Sequence, residues 1–316
     1  MLVVEPQGEA LRLDLYLVRK YPYLSRTVWH KRIKEGHVYV NNVQAKASQR
    51  LRGGEIITFV FQQKEEPPTN KNFSIVYEDE EFLVIDKPPQ LPVHPSGIYR
   101  SQTLYNLLKD KYENKKIHFV NRIDRETSGL VLVSLSARRL REILRLWPQV
   151  EKEYLVVVLG KFPEHYLAQG FIGPSMGQVR KKRVFVERED PPGYLWQSAV
   201  TEFFLEGYED GLSLVRCRLF TGRMHQIRAT LCSLGYPVAG DSLYGVDERY
   251  YLRFVEQGLT QGDYQVLRGK RSLLHSYRLL LPSLMGESRQ FVANIPSDFK
   301  EAMPRFFSNN SLMAQE

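Results

Sequence analysis

Residues 121–129 read Asn121-Arg122-Ile123-Asp124-Arg125-Glu126-Thr127-Ser128-Gly129, and they run directly into the apolar segment Leu130-Val131-Leu132-Val133. Two arginines, an aspartate and a glutamate stand within five positions, immediately before a segment that is typical of a buried strand. A carboxylate is costly to bury unless a cation and hydrogen bonds hold it. The pattern therefore predicts a loop at the mouth of a cleft that presents Asp124 with arginine beside it.

Three further stretches of the chain form a set with this loop. They are Asp86-Lys87-Pro88 with Val93-His94-Pro95, Lys152-Glu153-Tyr154-Leu155, and Thr221-Gly222-Arg223-Met224-His225-Gln226-Ile227-Arg228 with Gly240-Asp241-Ser242-Leu243-Tyr244-Gly245. In chain order, the four resemble the N-K-P … V-H-P, H-R-L-D-x-x-T-S-G, K-x-Y-L and T-G-R-x-H-Q-I-R … G-D-x-L-Y-G segments of RluA-type pseudouridine synthases. Four segments in the family's order across 73–295 are far more specific than any one alone.

This resemblance implies an isomerase that breaks the uracil–ribose C–N bond of a uridine in RNA, turns the base and rejoins it through carbon. The reaction involves no redox change and adds no group, so we expect no cofactor. The sequence holds no Cys/His cluster with metal-ligand spacing, so we expect no metal. The family pattern implies that Asp124 is the nucleophile or base, that Arg228 is its salt-bridge partner, and that Tyr154 stacks on the uracil and takes the ring proton. A target base must leave its stack to reach such a site.

The resemblance also implies a set of substrate-binding residues. Arg122 is the expected base-flipping side chain, and Ile123 stands where the family often has leucine. Arg223 completes the set, together with Lys87, which either contacts RNA or orders its own loop. His225 is expected to be a structural hydrogen-bonding histidine.

One position departs from the family pattern, because Asn121 replaces the usual histidine before Arg122. Asparagine still offers a side-chain donor and acceptor, and it supports loops well. We therefore expect activity to survive, although any role that needs a protonatable group at this position is in doubt.

The spacing of residues after Gly222 predicts a helix over Arg223–Leu234. On that helix His225, Arg228 and Cys232 share one face, while the apolar side chains share another. Arg228 is therefore expected to point into the cleft while its helix packs against the core. There it would keep the aspartate of the loop ionised.

The composition is that of an ordinary globular protein of 316 residues, with 43% hydrophobic and 25% charged residues. This length predicts two domains. No apolar stretch reaches transmembrane length, no secretory signal is visible, and two cysteines form no disulfide framework. We expect a cytoplasmic monomer without membrane association.

The net charge of +8 is concentrated near the N-terminus. Residues 10–52 hold ten basic and two acidic residues, so this segment carries the whole excess. A module that binds a polyanion has this charge pattern. Two short helices and a small hairpin are predicted there, and they resemble the alpha-L RNA-binding motif. Its second helix is predicted over Arg26–Glu35, with Ser25 as N-cap and Trp29 at the rim of the apolar face. The candidate RNA contacts on this helix are Arg26, Lys31 and Arg32.

Residues 63–72 are polar, contain Pro-Pro and lack periodicity, so they are the predicted linker between an RNA-binding domain at 1–62 and a catalytic domain at 73–316. The second domain shows many strands and a few helices in no regular alternation. This pattern predicts an α+β fold with a mixed or antiparallel central sheet. The family resemblance adds a cleft across that sheet.

The RNA target is the least determined feature. The family members with this N-terminal module favour large-subunit ribosomal RNA, and tRNA is the second candidate. Two other classes remain open at this point: a non-catalytic RNA-binding assembly factor on an enzyme scaffold, and a nucleoside glycosylase that would release the free base.

Overall fold

The computed structural model describes residues 2–5, 10–21, 25–60, 66–177, 179, 181–191, 194–247, 249–256, 258–282 and 288–309. The chain divides into two compact units, Met1–Glu65 and Glu66–Glu316. Of the predicted linker, residues 63–65 lie outside the described residues. Glu66 belongs to the second unit, because its carboxylate accepts hydrogen bonds from the backbone N–H groups of Ser101 and Gln102 at 2.8 and 2.9 Å.

The first unit packs two helices against a four-stranded antiparallel sheet in the order β1-β4-β2-β3. Its elements are β1 (Leu2–Val3), α1 (Leu13–Lys20), α2 (Arg26–Lys34), β2 (Val38–Val40), β3 (Val43–Gln44) and β4 (Ile56–Phe59). The predicted N-cap is confirmed, since Ser25 Oγ accepts from the backbone N–H of Val28. The predicted rim position of Trp29 is wrong: its side chain is buried, whereas Val28 is exposed.

In the described part of the chain, the second unit is built on an eleven-stranded sheet. Its mixed strand directions agree with the mixed or antiparallel sheet that the sequence predicted. Its strands are β5 (Ser74–Glu78), β6 (Phe82–Lys87), β7 (His118–Phe119), β8 (Ser128–Ser134), β9 (Glu151–Leu159), β10 (His165–Pro174), β11 (Arg183–Val186), β12 (Gln197–Glu209), β13 (Leu212–Leu219), β14 (Leu274–Leu281) and β15 (Arg289–Val292). The main order is β11-β10-β12-β13-β9-β14-β8-β6-β5, with β15 beside β14 and β7 beside β8. Every described neighbour pair in it is antiparallel except β14–β8.

Both faces of the central strands are covered, which explains their continuous apolar runs. On β9, Tyr154 and Val156 belong to one core, while Leu155 and Val157 face another. The first of these cores lies on the face of the sheet that carries the cleft described below. Side chains therefore reach the cleft from alternate positions of each strand.

Among the described residues of the second unit, seven α-helices flank the sheet: α3 (Leu104–Lys111), α4 (Ala137–Leu146), α5 (Gln226–Ser233), α6 (Arg249–Glu256), α7 (Gln261–Leu267), α8 (Ser297–Ala302) and α9 (Pro304–Asn309). The helix predicted over Arg223–Leu234 begins three residues later than expected. His225 adopts a left-handed backbone conformation with φ 57° and cannot extend the helix backwards. Arg223 therefore lies in the loop before α5. Across the described residues, no helix is long and apolar enough to cross a membrane.

The crossing of β8 and β14 depends on Gly129. Its φ is +102°, and a Cβ atom at this position would lie 2.2 Å from the carbonyl oxygen of Ser276. A side chain there would push apart the one parallel pair in the described sheet, directly after the loop at 121–128.

We expect Gly129→Ala to lower the free energy of unfolding by roughly 3–5 kcal/mol, because backbone strain adds to a steric clash. Gly211→Ala is the matched control: its φ is +80°, but an added Cβ meets no atom within 4 Å. The control should lose only about 1 kcal/mol. Urea unfolding of both variants measures the difference, and equal losses would contradict the argument.

Candidate active site

A cleft of ≈ 520 Å³ opens on the second unit. The loop at 121–124, strand β9 and the segment 219–228 line it, and they bring together residues that are more than 100 positions apart in the chain. The structure thus places Asp124, Tyr154 and Arg228 around one hollow. Arg122, Ile123 and Arg223 line it as well.

The floor of the cleft holds a guanidinium between two carboxylates. Arg228 donates from Nη1 to Asp124 Oδ2 at 2.6 Å. On its other edge it forms a bidentate pair with Asp241, Nε to Oδ2 at 2.6 Å and Nη2 to Oδ1 at 2.9 Å. Asp241 is 1% exposed, whereas the Asp124 side chain keeps 28% of its surface accessible. Only Asp124 can therefore meet a ligand.

These contacts set the charge states. Burial alone would raise the pKa of the Asp124 carboxyl, but Arg228 and His225 outweigh it and hold the pKa below its usual range. The pKa of Asp241 is lowered in the same way by Arg228 and by backbone N–H donors. Both carboxylates are therefore ionised at neutral pH.

Asp241 is the main residue that the sequence reasoning missed. Besides Arg228, it accepts hydrogen bonds from the backbone N–H groups of Leu243 and Tyr244, both at 3.0 Å, and from Ser272 Oγ at 3.1 Å. The signal was present, because Asp241 belongs to the Gly-Asp-x-Leu-Tyr-Gly segment. No role was assigned to it, because a turn aspartate gives the same pattern.

His225 caps α5 from its left-handed position and contacts two other residues of the site. Its Nδ1 lies 3.0 Å from the phenol oxygen of Tyr244, and its Nε2 lies 3.7 Å from Asp124 Oδ1. Burial lowers its pKa more than Asp124 raises it, so the imidazole is neutral at neutral pH. Its contacts are those of a residue that orders the turn.

Tyr154 projects from β9 into the cleft and is 8% exposed. Burial, together with the nearby charge of Asp124, raises its pKa to about 12 although Ser276 opposes the shift. Tyr154 therefore enters any reaction at neutral pH as a neutral phenol.

The loop that carries Asp124 is tied to the sheet through its backbone and through Asn121. Asn121 Oδ1 accepts from the backbone N–H of Leu132 at 2.7 Å, and its Nδ2 donates to the carbonyl of Leu130 at 3.3 Å. The asparagine thus uses both its donor and its acceptor to fix the loop on β8, which needs no protonatable group.

Lys87 orders the same loop from beneath and does not face the cleft. It is fully buried, and its Nζ donates to the carbonyls of Pro88, Leu91 and Arg125 at 2.8, 2.9 and 3.3 Å. Burial lowers its pKa to about 7, although Glu126 opposes the shift. Of the two roles expected for Lys87, an RNA contact does not fit this burial, whereas ordering the loop does.

The three candidate RNA contacts of the first unit, Arg26, Lys31 and Arg32, lie on α2. Lys31 is 77% exposed, and Arg32 lies over the ring of Trp29 at 5.6 Å. Arg26 is bound to Asp14, its Nη2 lying 2.8 Å from Oδ2. Asp14, which the sequence did not single out, is fully buried and also accepts from Arg12 and His30.

The fold and the cleft define a class: an enzyme whose cleft holds an accessible, ionised aspartate and a tyrosine, joined to a basic α+β module. Comparison with known proteins agrees. The family model described as RNA pseudouridylate synthase matches residues 81–233, and the S4 domain model matches residues 11–57.

Individual relatives extend the match along the chain. The ribosomal large subunit pseudouridine synthase D of Xanthomonas campestris is 30% identical, over 99% of this chain and 94% of that protein. The mitochondrial tRNA pseudouridine(32) synthase of Saccharomyces cerevisiae is 33% identical over 73% of this chain and 48% of its own length. A solved structure of human RNA pseudouridylate synthase domain containing 4 superposes with a TM-score of 0.56, at 26% identity over 73% of this chain and 92% of that one. The chain belongs to the RNA pseudouridine synthase family, in the branch with an N-terminal S4 domain.

Asp241→Asn should lower the free energy of unfolding at pH 7 by roughly 3–5 kcal/mol, because Arg228 loses its bidentate carboxylate partner and the amide NH2 group faces buried N–H donors. Because the fold lowers the pKa of Asp241, its stabilisation is complete above the ordinary aspartate value of 3.8 and is lost as pH falls through the folded pKa. The deficit of the variant should thus stay constant from pH 7 to pH 5 and shrink below about pH 4. Urea unfolding at pH 7, 5 and 3.5 measures it.

Asp110→Asn, at an exposed aspartate of α3, is the control and should change stability little at any pH. If Asp241→Asn lowers the free energy of unfolding at pH 7 by no more than the control does, the negative charge of Asp241 does not stabilise the fold.

Proposed function

We propose that this pseudouridine synthase isomerises specific uridines of large-subunit ribosomal RNA and that Asp124 carries out the chemistry. The supporting observation is the Asp124–Arg228 pair on the cleft floor with Tyr154 beside it. An aspartate that is ionised, partly accessible and held in a fixed position is the reactive group that this isomerisation needs.

The proposed reaction has a simple balance. Asp124 attacks or assists at the target nucleotide, the N1–C1′ bond breaks, and the base turns within the cleft. A C5–C1′ bond then forms, and any bond that Asp124 has made to the nucleotide breaks again, which restores the carboxylate. C5 loses a proton and N1 gains one, so atoms and charge are conserved. Arg228 holds the free carboxylate in place and ionised, and Asp241 keeps Arg228 in place.

Tyr154 is assigned to stacking on the uracil. Its pKa of about 12 leaves it protonated at neutral pH, so that taking the ring proton would first require loss of its own. The negative charge of Asp124 further disfavours the phenolate. The stacking part of its expected role therefore fits the site better than the proton-accepting part.

Arg122 is assigned to base extrusion. Its side chain is exposed at the edge of the cleft, next to Ile123, which is 9% exposed. Arg223 also lies on this edge, where its Nε donates to the carbonyl of Ser198 at 2.9 Å. These two guanidinium groups stand where the RNA strand must open to admit a uridine.

The choice of ribosomal RNA rests on relatives named ribosomal large subunit pseudouridine synthase D, which match this chain nearly end to end. The tRNA synthase relative keeps tRNA as the alternative. A non-catalytic assembly factor is disfavoured because the Asp124–Arg228 pair is intact. One unit supplies the whole site, so a monomer can be active. Mapping pseudouridines in ribosomal RNA and tRNA from cells with and without the protein decides between the two targets.

Asp124→Asn should lower turnover at least about a thousandfold, because an amide cannot act as nucleophile or base. RNA binding should change little, since the amide keeps the shape of the carboxylate. Release of tritium from RNA labelled at uracil C5 measures turnover, and filter binding measures affinity. With Asp110→Asn as the control, retained turnover in Asp124→Asn would sink the mechanism.

A chain that starts at Glu66 should fold and bind RNA more weakly, with a flatter dependence of log Kd on log salt concentration. For every phosphate that the first unit binds, its removal should lower that slope by about 0.7–0.9. Circular dichroism melting checks that the shortened chain is folded. An unchanged salt dependence in a folded fragment would show that the S4 domain binds no phosphates.

A further inference from the structure

Lys152 differs from the other buried cations of this chain. Among the described residues, five lysine and arginine side chains are less than one-tenth exposed: Lys87, Arg139, Lys152, Arg228 and Arg271. Each of the other four has an ion pair or an electrostatic attraction to a neighbouring carboxylate. Lys152 shows none with any described acid, and it is 7% exposed. A buried charge without a counter-charge needs an explanation.

The surroundings of the ammonium group leave it incompletely satisfied. Its Nζ donates to the carbonyl of Val150 at 2.8 Å and to that of Trp147 at 3.3 Å, and it lies 5.3 Å from the centre of the Trp147 ring. An ammonium has three N–H donors. Lys87 places all three on carbonyls, whereas Lys152 has two such acceptors among the described residues.

The position of Lys152 relates it directly to the active site. Lys152 and Tyr154 are two residues apart on β9, so they project from the same face of the sheet, about 7 Å apart along the strand. Both line the cleft. The neighbouring Glu151 and Glu153 project from the opposite face, where they pair with Arg218 and Arg278. The cleft therefore receives the lysine without the two acids beside it.

We propose that Lys152 forms a phosphate subsite that binds the backbone phosphate of a nucleotide adjacent to the target uridine. This inference rests on the proposed function, because it needs a uracil stacked on Tyr154. A phosphate next to that uridine lies one nucleotide from the base, a distance comparable to the Lys152–Tyr154 spacing. Trp147 and Pro148 line the same end of the cleft and offer an apolar wall to the adjoining ribose.

The electrostatics support an anion as the missing partner. Burial lowers the pKa of the Lys152 ammonium, and no described acid counters this effect. A phosphate would supply the negative charge and accept the remaining hydrogen bond. A compact ammonium suits a single phosphate oxygen without demanding a bidentate geometry.

The test uses full-length Lys152→Met, which keeps most of the aliphatic stem, and a short RNA that carries the mapped uridine. We expect RNA affinity to fall roughly five- to tenfold and the slope of log Kd against log salt to drop by about 0.7–0.9, as expected when one phosphate is no longer neutralised. The single-turnover rate at saturating RNA should fall by a smaller factor than the affinity does. Arg141→Gln is the matched control, because Arg141 is exposed on α4 and does not line the cleft.

A second arm locates the phosphate. Methylphosphonate linkages, which carry no charge, replace the phosphates on either side of the target uridine one at a time. At one position the neutral linkage should weaken wild-type binding as much as Lys152→Met does, and it should weaken the variant no further. The proposal would be overturned if the neutral linkage weakened RNA binding by Lys152→Met as much as binding by the wild type at both positions.

The remaining outcomes are also decisive. If Lys152→Met does not fold, the methylphosphonate substitutions are tested with the wild-type protein alone. Undiminished affinity of the wild type for both neutral linkages would then reject the subsite. Lys152→Arg keeps the positive charge and should therefore keep the wild-type slope of log Kd against log salt concentration. A purely structural role for the ammonium does not predict this rescue. Wild-type product formation is measured in the same assay. Its absence counts against the proposed function, whereas normal product with an unchanged slope in Lys152→Met rejects the phosphate subsite alone.

Discussion

The structure depends on one buried guanidinium shared by two carboxylates. Arg228 carries a single positive charge, and Asp124 and Asp241 carry two negative ones, so the trio keeps one net negative charge. Asp241 is closed off from solvent and held by backbone donors, whereas Asp124 faces the cleft. The surplus negative charge is therefore accessible only at the Asp124 carboxylate, in one orientation. A charge that is already held in place needs little reorganisation during the reaction.

The rest of the second unit keeps this trio in register. Asn121 and Lys87 fix the loop around Asp124 to the sheet, the first through β8 and the second through the Arg125 carbonyl. Arg271 adds a third contact: it donates to the Glu126 carbonyl at 3.2 Å and pairs with Asp298 of α8. Asn121 binds the backbone of β8, and Lys87 and Arg271 bind backbone carbonyls of the loop. These contacts hold the main chain that carries Asp124 without touching its side chain.

Local physics made much of the scaffold predictable. The N-cap at Ser25 and the apolar run at 130–133 follow from side-chain hydrogen bonding and burial, and the structure confirms them. The pairing of residues 124 and 228 came from family resemblance, since no local rule joins positions so distant. The start of α5 was missed because the backbone of His225 is set by tertiary contacts with Tyr244 and Asp124. Trp29 was placed at a rim because periodicity does not show that Tyr21 and Phe59 enclose it.

Asp14 has a consequence for how the electric charge of the S4 domain is understood. This enclosed carboxylate draws Arg12, Arg26 and His30 inward, although their side chains stay 37%, 52% and 45% exposed. The basic groups of the domain are thus not all equally available to counterions. Asp14 offsets part of the positive charge of its three partners and holds them at fixed positions. A count of basic surface residues alone would overstate the positive field of such a domain, because an internal acid weakens that field without changing the surface composition.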